Sequence, residues 1–268
     1  MRLSLLMVLF INILAVSFHL SKANVQAVLF AAGKSSRFVG SESKLLYKLN
    51  GKPLILYPIE LLRRLDIPTI VVVGHEKEKI IETITSSGAN PIFVEQPSAR
   101  GTGDALACTK NQWDARHILV LNGDAPLITD EILARFITHH KFTQADCTLI
   151  VSYVEKPIGA YGRVIEQDGI VTIVEDRDFK GDKQAPCLTN PGFYLFKREV
   201  LEELLPLLKP HENTKNKEYY VTDLIELCGQ KGYTVKTIEA PFEFTCGANT
   251  MEEMKILQEL LAKHLQYD

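Results

Sequence analysis

The sequence has few cysteines, and their spacing argues against a disulfide-bonded small domain and against a zinc-binding one. Five cysteines occur in 268 residues. They form neither a CxxC pair nor a Cys/His spacing of the kind that binds zinc, and their number is odd. They are Cys108, Cys147, Cys187, Cys228 and Cys246. A disulfide framework and a zinc-finger fold are therefore disfavoured, and we expect buried or idle thiols.

The sequence also lacks an excess of charge of either sign. It has 30 Lys and Arg residues against 33 Asp and Glu residues, a formal net charge of −3. No run of like charge would follow a nucleic-acid backbone, so we expect no nucleic-acid partner. No repeat or Pro/Gly/Ser-rich linker divides the chain, and 46% hydrophobic residues suit one sizeable globular core.

One long apolar run stands at the amino terminus, from Leu3 to Leu20. Ser21 and Ala23, which follow it, are small residues at the positions that a signal peptidase recognises. The run is also near the lower length limit for a membrane-spanning helix, although Asn12 and His19 weaken that interpretation. Residues 1–23 are thus interpreted as a signal peptide, an anchor or a start-site artefact. Membrane contact is expected only if they are retained, and residues 24–268 are predicted to form one domain.

From Val25 onward, apolar β-branched runs alternate with segments of helical period, which is typical of βαβ units. The predicted strands are Val25–Ala31, Thr69–Val73, Pro91–Glu95, Ile118–Leu121, Cys147–Tyr153, Phe193–Phe196 and Thr234–Ile238. The predicted helices are Pro53–Leu65, Lys77–Ser86, Thr102–Asn111, Asp130–His140, Glu199–Leu208, Tyr219–Cys228 and Met251–Leu265. Asp168-Gly169 predicts a hairpin turn. The fold class is α/β, with a mostly parallel sheet and a small antiparallel sub-lobe.

A small-residue turn, Phe30–Arg37, follows the first predicted strand. In an open parallel sheet, ligands bind at the carboxyl ends of strands, where small residues let backbone N–H groups approach phosphates. Arg37 supplies a planar fork of donors, and Lys44 can reach the same anion. The turn is not a Walker loop, because GxxxxGK[ST] is absent. Solvated basic residues on an ordinary turn remain the alternative.

A second polar loop, Gln96–Leu106, follows the third strand. The Gln96 amide can both donate to and accept from a pyrimidine edge, while the N–H groups of Gly101 and Thr102 suit acceptors. A capped helix entrance is the alternative.

A third motif, Leu121–Leu127, places Asp124 after a buried strand. A carboxylate there could hold Mg²⁺ against phosphate oxygens. A turn former or helix cap would look the same.

These three segments recur in order with five more: Ala160–Val164, Ile173–Asp176, Thr189–Gly192, Glu218–Asp223 and Gly247–Asn249. Together they resemble the uridyltransferase half of the bacterial bifunctional N-acetylglucosamine-1-phosphate uridyltransferases. The resemblance runs from about Val25 to the final helix. It implies a Rossmann-like, three-layer nucleotide-diphospho-sugar transferase fold.

The resemblance also implies a role for individual residues. The uracil would be held by Ala31, Gly33 and Gln96, with Gly101 and Thr102 beside it and Ala32 also in the substrate-binding set. The sugar would be held by Gly162, Glu175 and Asn190, with Asn122, Gly123 and Thr222 completing the substrate-binding set. Arg37, Lys44 and Asp124 would be catalytic. Asp124 and Asn249 would bind Mg²⁺.

The implied reaction joins UTP to N-acetylglucosamine 1-phosphate in the cytoplasm, with Mg²⁺ as cofactor. Asn122 stands where the family commonly has tyrosine, Ser35 where it has a second glycine, and Pro191 interrupts Asn-Thr-Gly, so sugar specificity is in question. Because no hexapeptide-repeat β-helix follows Met251–Leu265, we expect no acetyltransferase activity. Whether a separate acetyltransferase is a partner is left open by the sequence. The alternatives are another sugar 1-phosphate or nucleoside triphosphate, a catalytically silent nucleotide-sugar-binding protein, and an envelope-associated protein.

Overall fold

A computed structural model describes residues 24–34, 38, 43–156, 161–212, 214 and 216–264. The predicted catalytic residue Arg37 and the amino-terminal segment 1–23 lie outside this part of the chain. None of the helices within these ranges has the length and apolar character needed to span a bilayer.

Strands and helices alternate through the first half of the described chain. The strands are β1 (Val25–Ala31), β2 (Lys48–Leu49), β3 (Lys52–Pro53), β4 (Thr69–Val73), β5 (Ile92–Glu95), β6 (His117–Asn122), β7 (Cys147–Val154), β8 (Gly162–Gln167), β9 (Ile170–Val174), β10 (Cys187–Asn190), β11 (Tyr194–Lys197) and β12 (Val235–Glu239). The helices are α1 (Leu56–Arg64), α2 (Lys77–Ser86), α3 (Gly101–Cys108), α4 (Asp130–Phe142), α5 (Arg198–Leu204), α6 (Asp223–Gln230), α7 (Phe242–Thr245) and α8 (Met251–His264).

One sheet takes the strand order β5-β4-β1-β6-β11-β7-β10-β8-β9, and β12 pairs with β7. The four strands from β5 to β6 are parallel, so their carboxyl ends meet at one edge. β11 is antiparallel to both of its neighbours, and β10, β8 and β9 extend the antiparallel side. The predicted mostly parallel sheet with an antiparallel sub-lobe is confirmed.

Both faces of the sheet are covered. In β1, Ala27 and Leu29 belong to one buried cluster while Val28 belongs to the other, because successive side chains point to opposite faces. Helices α1, α2, α4 and α8 contribute to the first cluster, and α3, α5 and α6 to the second. The resulting helix–sheet–helix layering explains why these strands are continuous apolar runs in the sequence.

The hairpin turn is confirmed, and two predicted helix starts are wrong. Asp168 and Gly169 both have positive φ, +53° and +77°, as a type I′ hairpin turn requires. Pro53 lies in β3 rather than in a first helical turn, because Leu54 and Ile55 donate backbone hydrogen bonds to an earlier loop. Tyr219 is not helical either, since its backbone pairs with the loop before α3.

A histidine pair, fully buried at His140 and half-buried at His117, joins α4 to the sheet. His117 Nδ1 lies 3.1 Å from His140 Nε2, and His140 Nδ1 lies 2.8 Å from the Thr148 hydroxyl. Burial, reinforced by Lys141 and other nearby cations, lowers the pKa of His117 to about 4. Burial, with His117 and Lys197 nearby, lowers that of His140 to about 3, and His140 is fully buried. Both rings therefore stay neutral in the folded protein at physiological pH.

We expect the free energy of unfolding to fall as the pH is lowered from about 6.5. Below that pH the unfolded chain binds protons that the folded rings refuse, so the folded state loses its advantage progressively towards the folded pKa values. For His140 the loss should reach about 2 kcal/mol at pH 5. Urea unfolding of wild type and His140→Gln between pH 7 and 5 checks this. His211→Gln, which replaces a half-buried histidine, serves as the control. An identical pH slope in wild type and His140→Gln would contradict the expectation.

Candidate active site

The carboxyl ends of β1 and β6 come together at the parallel edge. The Gly123 N–H donates to the Phe30 carbonyl at 3.0 Å, and a Cβ at Gly123 would lie 2.8 Å from that oxygen. Only glycine allows this approach. Ala31 and Ala32 are buried beneath the edge, and Gly33 is exposed above it. The predicted phosphate turn thus begins directly beside the strand end that carries Asp124.

Lys44, Asp124 and Asn249 form one cluster although they come from distant parts of the chain. The Lys44 ammonium donates to Asp124 Oδ2 at 2.5 Å and to Asn249 Oδ1 at 2.8 Å. The Lys44 and Asp124 side chains are each 15% exposed, so the cluster opens to solvent at one side. The sequence predicted a role for all three residues, and the structure brings them into direct contact.

The loop before α8 sets the position of Asn249. The Thr250 hydroxyl accepts from the Glu253 N–H at 3.2 Å and so caps α8. The Glu253 carboxylate accepts from the Asn249 N–H at 2.6 Å, which holds the backbone of Asn249 against this helix. Tyr161 Oη exchanges hydrogen bonds with both backbone groups of Gly247. A Cβ at Gly247 would lie 2.9 Å from the Asp124 carbonyl, so glycine is required for this loop to reach Asp124.

The donors in this cluster fit a hard divalent cation. No group of three or more His, Cys, Asp or Glu side chains that could hold a metal occurs in the part of the chain that the structure covers. Asp124 and Asn249 instead offer one carboxylate and one amide oxygen, already placed around a single cationic nitrogen. Mg²⁺ accepts such a sparse protein set because water and phosphate oxygens complete its octahedron.

Gln96 directly follows β5, the outermost of the four parallel strands, and is almost fully buried, at 7% exposure. Its backbone N–H donates to the Val73 carbonyl at 2.8 Å, which continues the pairing of β4 with β5. Its side-chain Nε2 donates to the Gly101 carbonyl at 3.0 Å and to Asp104 Oδ2 at 2.8 Å. The predicted base-binding glutamine is therefore held in a defined orientation at the parallel edge.

The loop from Gln96 to α3 is joined to the segment before α6. The Gly103 N–H donates to the Tyr219 carbonyl, and the Tyr219 N–H donates to the Arg100 carbonyl, both at 2.8 Å. The Thr102 hydroxyl accepts from the Val221 N–H at 3.0 Å. Gly101 has φ +88°, and a Cβ there would lie 2.3 Å from the Tyr219 carbonyl oxygen. These contacts hold the extended segment in place of the helix start that the sequence predicted.

The residues predicted for the sugar also meet. Asn190 and Gly162 are partners across β10 and β8, and a Cβ at Gly162 would lie 3.8 Å from Glu175 Oε2. The Thr222 hydroxyl donates to Glu175 Oε1 at 3.2 Å. Burial raises the pKa of Glu175, against the hydrogen bond from Thr222 and the charge of Arg177. A carboxylate in this setting can accept from a ligand hydroxyl or amide.

The Asn190 amide connects the residues predicted for the sugar to the end of β6. Its Nδ2 donates to Tyr194 Oη at 2.6 Å, and its Oδ1 accepts from the Gly192 N–H at 3.2 Å. Gly192 has φ +90°, and a Cβ there would lie 2.2 Å from Asn122 Nδ2. Asn122, which stands where the resembling family commonly has tyrosine, therefore packs against the Asn190–Gly192 turn. Asn122 thus links the residues predicted for the sugar to β6, the strand that leads to Asp124.

Sequence reasoning gave no role to three residues that organise these groups. Arg163 is buried and donates to Asp176 at 3.1 Å and to the Lys183 carbonyl at 2.7 Å, which holds the loop after Glu175. Tyr161 ties the Asn249 loop, and Asp104 holds Gln96. Tyr161 and Arg163 stand inside a recognised motif, which was their only signal. Asp104 likewise stands inside the recognised Gln96–Leu106 segment, where nothing in the spacing showed that its partner lies eight residues earlier.

Comparisons with known proteins agree with this architecture. The model of the MobA-like NTP transferase domain matches residues 27–218. "Bifunctional protein GlmU" of Nitratiruptor sp. is 34% identical over 244 residues, covering 88% of this chain and 55% of the relative. The protein of the same name from Thermotoga petrophila is 35% identical over 238 residues, covering 88% and 51%. The chain thus spans about half the length of the curated relatives it matches.

Solved structures confirm the fold. A protein described as a glucose-1-phosphate thymidylyltransferase from Bacillus anthracis gives a TM-score of 0.69 at 18% identity, covering 88% of this chain and 94% of its own. CMP:2-keto-3-deoxy-manno-octonic acid synthetase, complexed with CTP, gives 0.66 at 17% identity, covering 90% and 100%. At such identities the likeness concerns the fold alone. The predicted nucleotide-diphospho-sugar transferase architecture is confirmed.

Proposed function

The chain belongs to the family of MobA-like NTP transferase domains, and on that premise we propose that it joins UTP to N-acetylglucosamine 1-phosphate and releases pyrophosphate. One observation carries the proposal: a lysine ammonium, a carboxylate and an amide oxygen meet in a partly open cluster at the strand ends. The predicted base and sugar residues lie around the same edge. The domain limits 24–268 are part of this proposal.

In the proposed reaction, a phosphate oxygen of the sugar 1-phosphate attacks the α-phosphorus of UTP. The α–β bridging oxygen leaves with pyrophosphate, and no covalent enzyme intermediate is needed. Mg²⁺, held by Asp124 and Asn249, would supply charge neutralisation at the phosphate oxygens. The Lys44 side chain is long and flexible, so its ammonium group would be able to move from those two side chains to the triphosphate. Catalysis would consist of positioning and electrostatic stabilisation.

The base and sugar residues would supply orientation. Gln96 presents its amide beside the Gly101 and Thr102 backbone, where a pyrimidine edge can be read. Glu175 and Asn190 offer hydrogen-bonding groups to sugar hydroxyls or an acetamido group. Arg37, which lies outside the described residues, is proposed to contact the leaving pyrophosphate. The proposed localisation is the cytoplasm, where UTP is available.

A pyrophosphate-release assay tests this function directly. UTP, CTP and dTTP would each be offered with N-acetylglucosamine 1-phosphate and with glucose 1-phosphate, with and without Mg²⁺. We expect release with UTP, N-acetylglucosamine 1-phosphate and Mg²⁺ together. Release with a different pair would reassign the substrates, while nucleotide binding without release from any pair would favour a silent binding protein.

We expect kcat/KM for N-acetylglucosamine 1-phosphate to exceed that for glucose 1-phosphate by about tenfold or more. A site built to hydrogen-bond a substrate group leaves its own polar atoms unpaired when that group is absent, at a cost of about 1–3 kcal/mol. Glu175→Ala should remove most of this preference, and Glu166→Ala, on the exposed part of β8, should not. Equal kcat/KM values for the two sugars in the wild type would refute the acetamido assignment.

A further inference from the structure

The orientation of the Gln96 side chain is determined by its neighbours. A primary amide has two hydrogens on nitrogen, and both are used: one goes to the Gly101 carbonyl and one to Asp104 Oδ2. Both partners are acceptors. A flipped amide would bring Oε1 against two oxygens, so the usual ambiguity between amide O and N does not arise here.

Gln96 Oε1 is consequently the atom left for a ligand. It accepts no hydrogen bond from any residue in the described ranges, and it is not among the buried side-chain atoms that lack a partner there. It is thus an accessible acceptor on a side chain that is otherwise almost fully buried. Acceptor and donor cannot be exchanged while Asp104 is in place.

Arg100 holds Asp104 from the opposite side. Its Nη2 donates to Asp104 Oδ1 at 2.6 Å, so each carboxylate oxygen has its own partner. Asp104 itself is 11% exposed and stands in the first turn of α3, where a negative charge is favoured. Arg100 also lies over the Tyr219 ring, 6.0 Å from its centroid. The hydrogen-bonded series Arg100–Asp104–Gln96 therefore contacts the Tyr219 ring at one end and the Gly101 carbonyl at the other.

We propose that Asp104 is a positioning residue that sets nucleotide selection by holding Gln96 Oε1 towards the base. The inference rests on the proposed function, in which the base lies against Gln96. Uracil carries an N–H at N3, which pairs with a fixed acceptor, whereas cytosine carries a lone pair there. Asp104 would thus favour uridine over cytidine nucleotides without touching either.

Two variants of Asp104 test this through the UTP:CTP ratio of kcat/KM, which loss of structure alone would not change. Asp104→Ala removes one of the two acceptors that fix the amide and leaves only the Gly101 carbonyl. Asp104→Asn keeps the shape, but its single oxygen is claimed by the Arg100 guanidinium, so its NH₂ faces Gln96 and favours the flipped amide. We expect the UTP:CTP ratio of kcat/KM to fall about tenfold in both, which corresponds to about 1.4 kcal/mol.

The control is Arg100→Gln, which leaves the hydrogen bond between Asp104 and Gln96 in place and should keep most of the ratio. Calorimetric binding of UTP and CTP, without sugar phosphate, gives the same comparison independently of turnover, and thermal melting reports folding. Folded Asp104 variants that retain the wild-type UTP:CTP binding ratio would overturn the inference while leaving nucleotidyl transfer intact. Equal binding of UTP and CTP by the wild type would overturn it as well, whereas absence of turnover with preserved uridine selection would count only against the proposed reaction.

Discussion

Asp124→Asn is expected to lower kcat for pyrophosphate release by about a thousandfold, since the charge stabilisation at such a metal-binding carboxylate amounts to several kcal/mol. The asparagine is isosteric and can still accept from the Lys44 ammonium, so the fold should survive. The loss should therefore fall on turnover, and the melting temperature should change little.

Asp168→Asn is the matched control for this substitution. Asp168 is exposed in the β8–β9 turn at φ +53°, a conformation that asparagine tolerates well. It should retain wild-type turnover. Near-normal activity of Asp124→Asn at saturating Mg²⁺ would remove Asp124 from the proposed metal site, whatever the substrate proves to be.

Lys44→Met is expected to change Mg²⁺ binding and turnover in opposite directions. In the structure the Lys44 ammonium lies against both oxygens proposed for the metal, so Mg²⁺ must displace it or share them with it. Removing this like charge should tighten Mg²⁺ binding in the absence of nucleotide by about tenfold, which is about 1.4 kcal/mol of relieved competition. Turnover should fall by about a hundredfold or more, because a preorganised charge is lost from the phosphates.

Calorimetric titration with Mg²⁺ and the pyrophosphate assay, on the same preparation, separate these two effects. Lys48→Met, an exposed lysine of β2, provides the control for loss of one positive charge. Weaker Mg²⁺ binding by Lys44→Met would show that the lysine supports the metal site instead of competing with the metal. Unchanged turnover would exclude Lys44 from phosphate binding.

The fold was predictable where local pattern and burial agree. β1 and β4 occupy the bounds expected from their apolar, β-branched runs, and Asp168-Gly169 forms the expected turn. β10 was missed because four residues carry little periodicity and their pairing with β7 and β8 is long-range. The segment from Tyr219 was predicted as helix because its apolar spacing is helical, yet backbone pairing with Arg100 and Gly103 keeps it extended.

The composition of the candidate site came from motif order, while its geometry could come only from the fold. No spacing in the sequence places Lys44, Asp124 and Asn249 within one hydrogen-bonded cluster, since 205 residues separate the first from the last. The roles of Gln96, Glu175 and Asn190 stay predictions. The role of Asp104 could not be predicted from the sequence, because an acidic residue in a first helical turn looks like an ordinary helix-stabilising charge.

Tracing the phosphorus atoms of UTP tests nucleotidyl transfer most directly. UTP labelled at the α-phosphorus, and separately at the γ-phosphorus, would be incubated with the protein, Mg²⁺ and N-acetylglucosamine 1-phosphate, and the products separated. The account predicts that the α label appears in a nucleotide sugar and the γ label entirely in pyrophosphate. Transfer of the γ label to the sugar phosphate, or its release as orthophosphate with no nucleotide sugar formed, would contradict it.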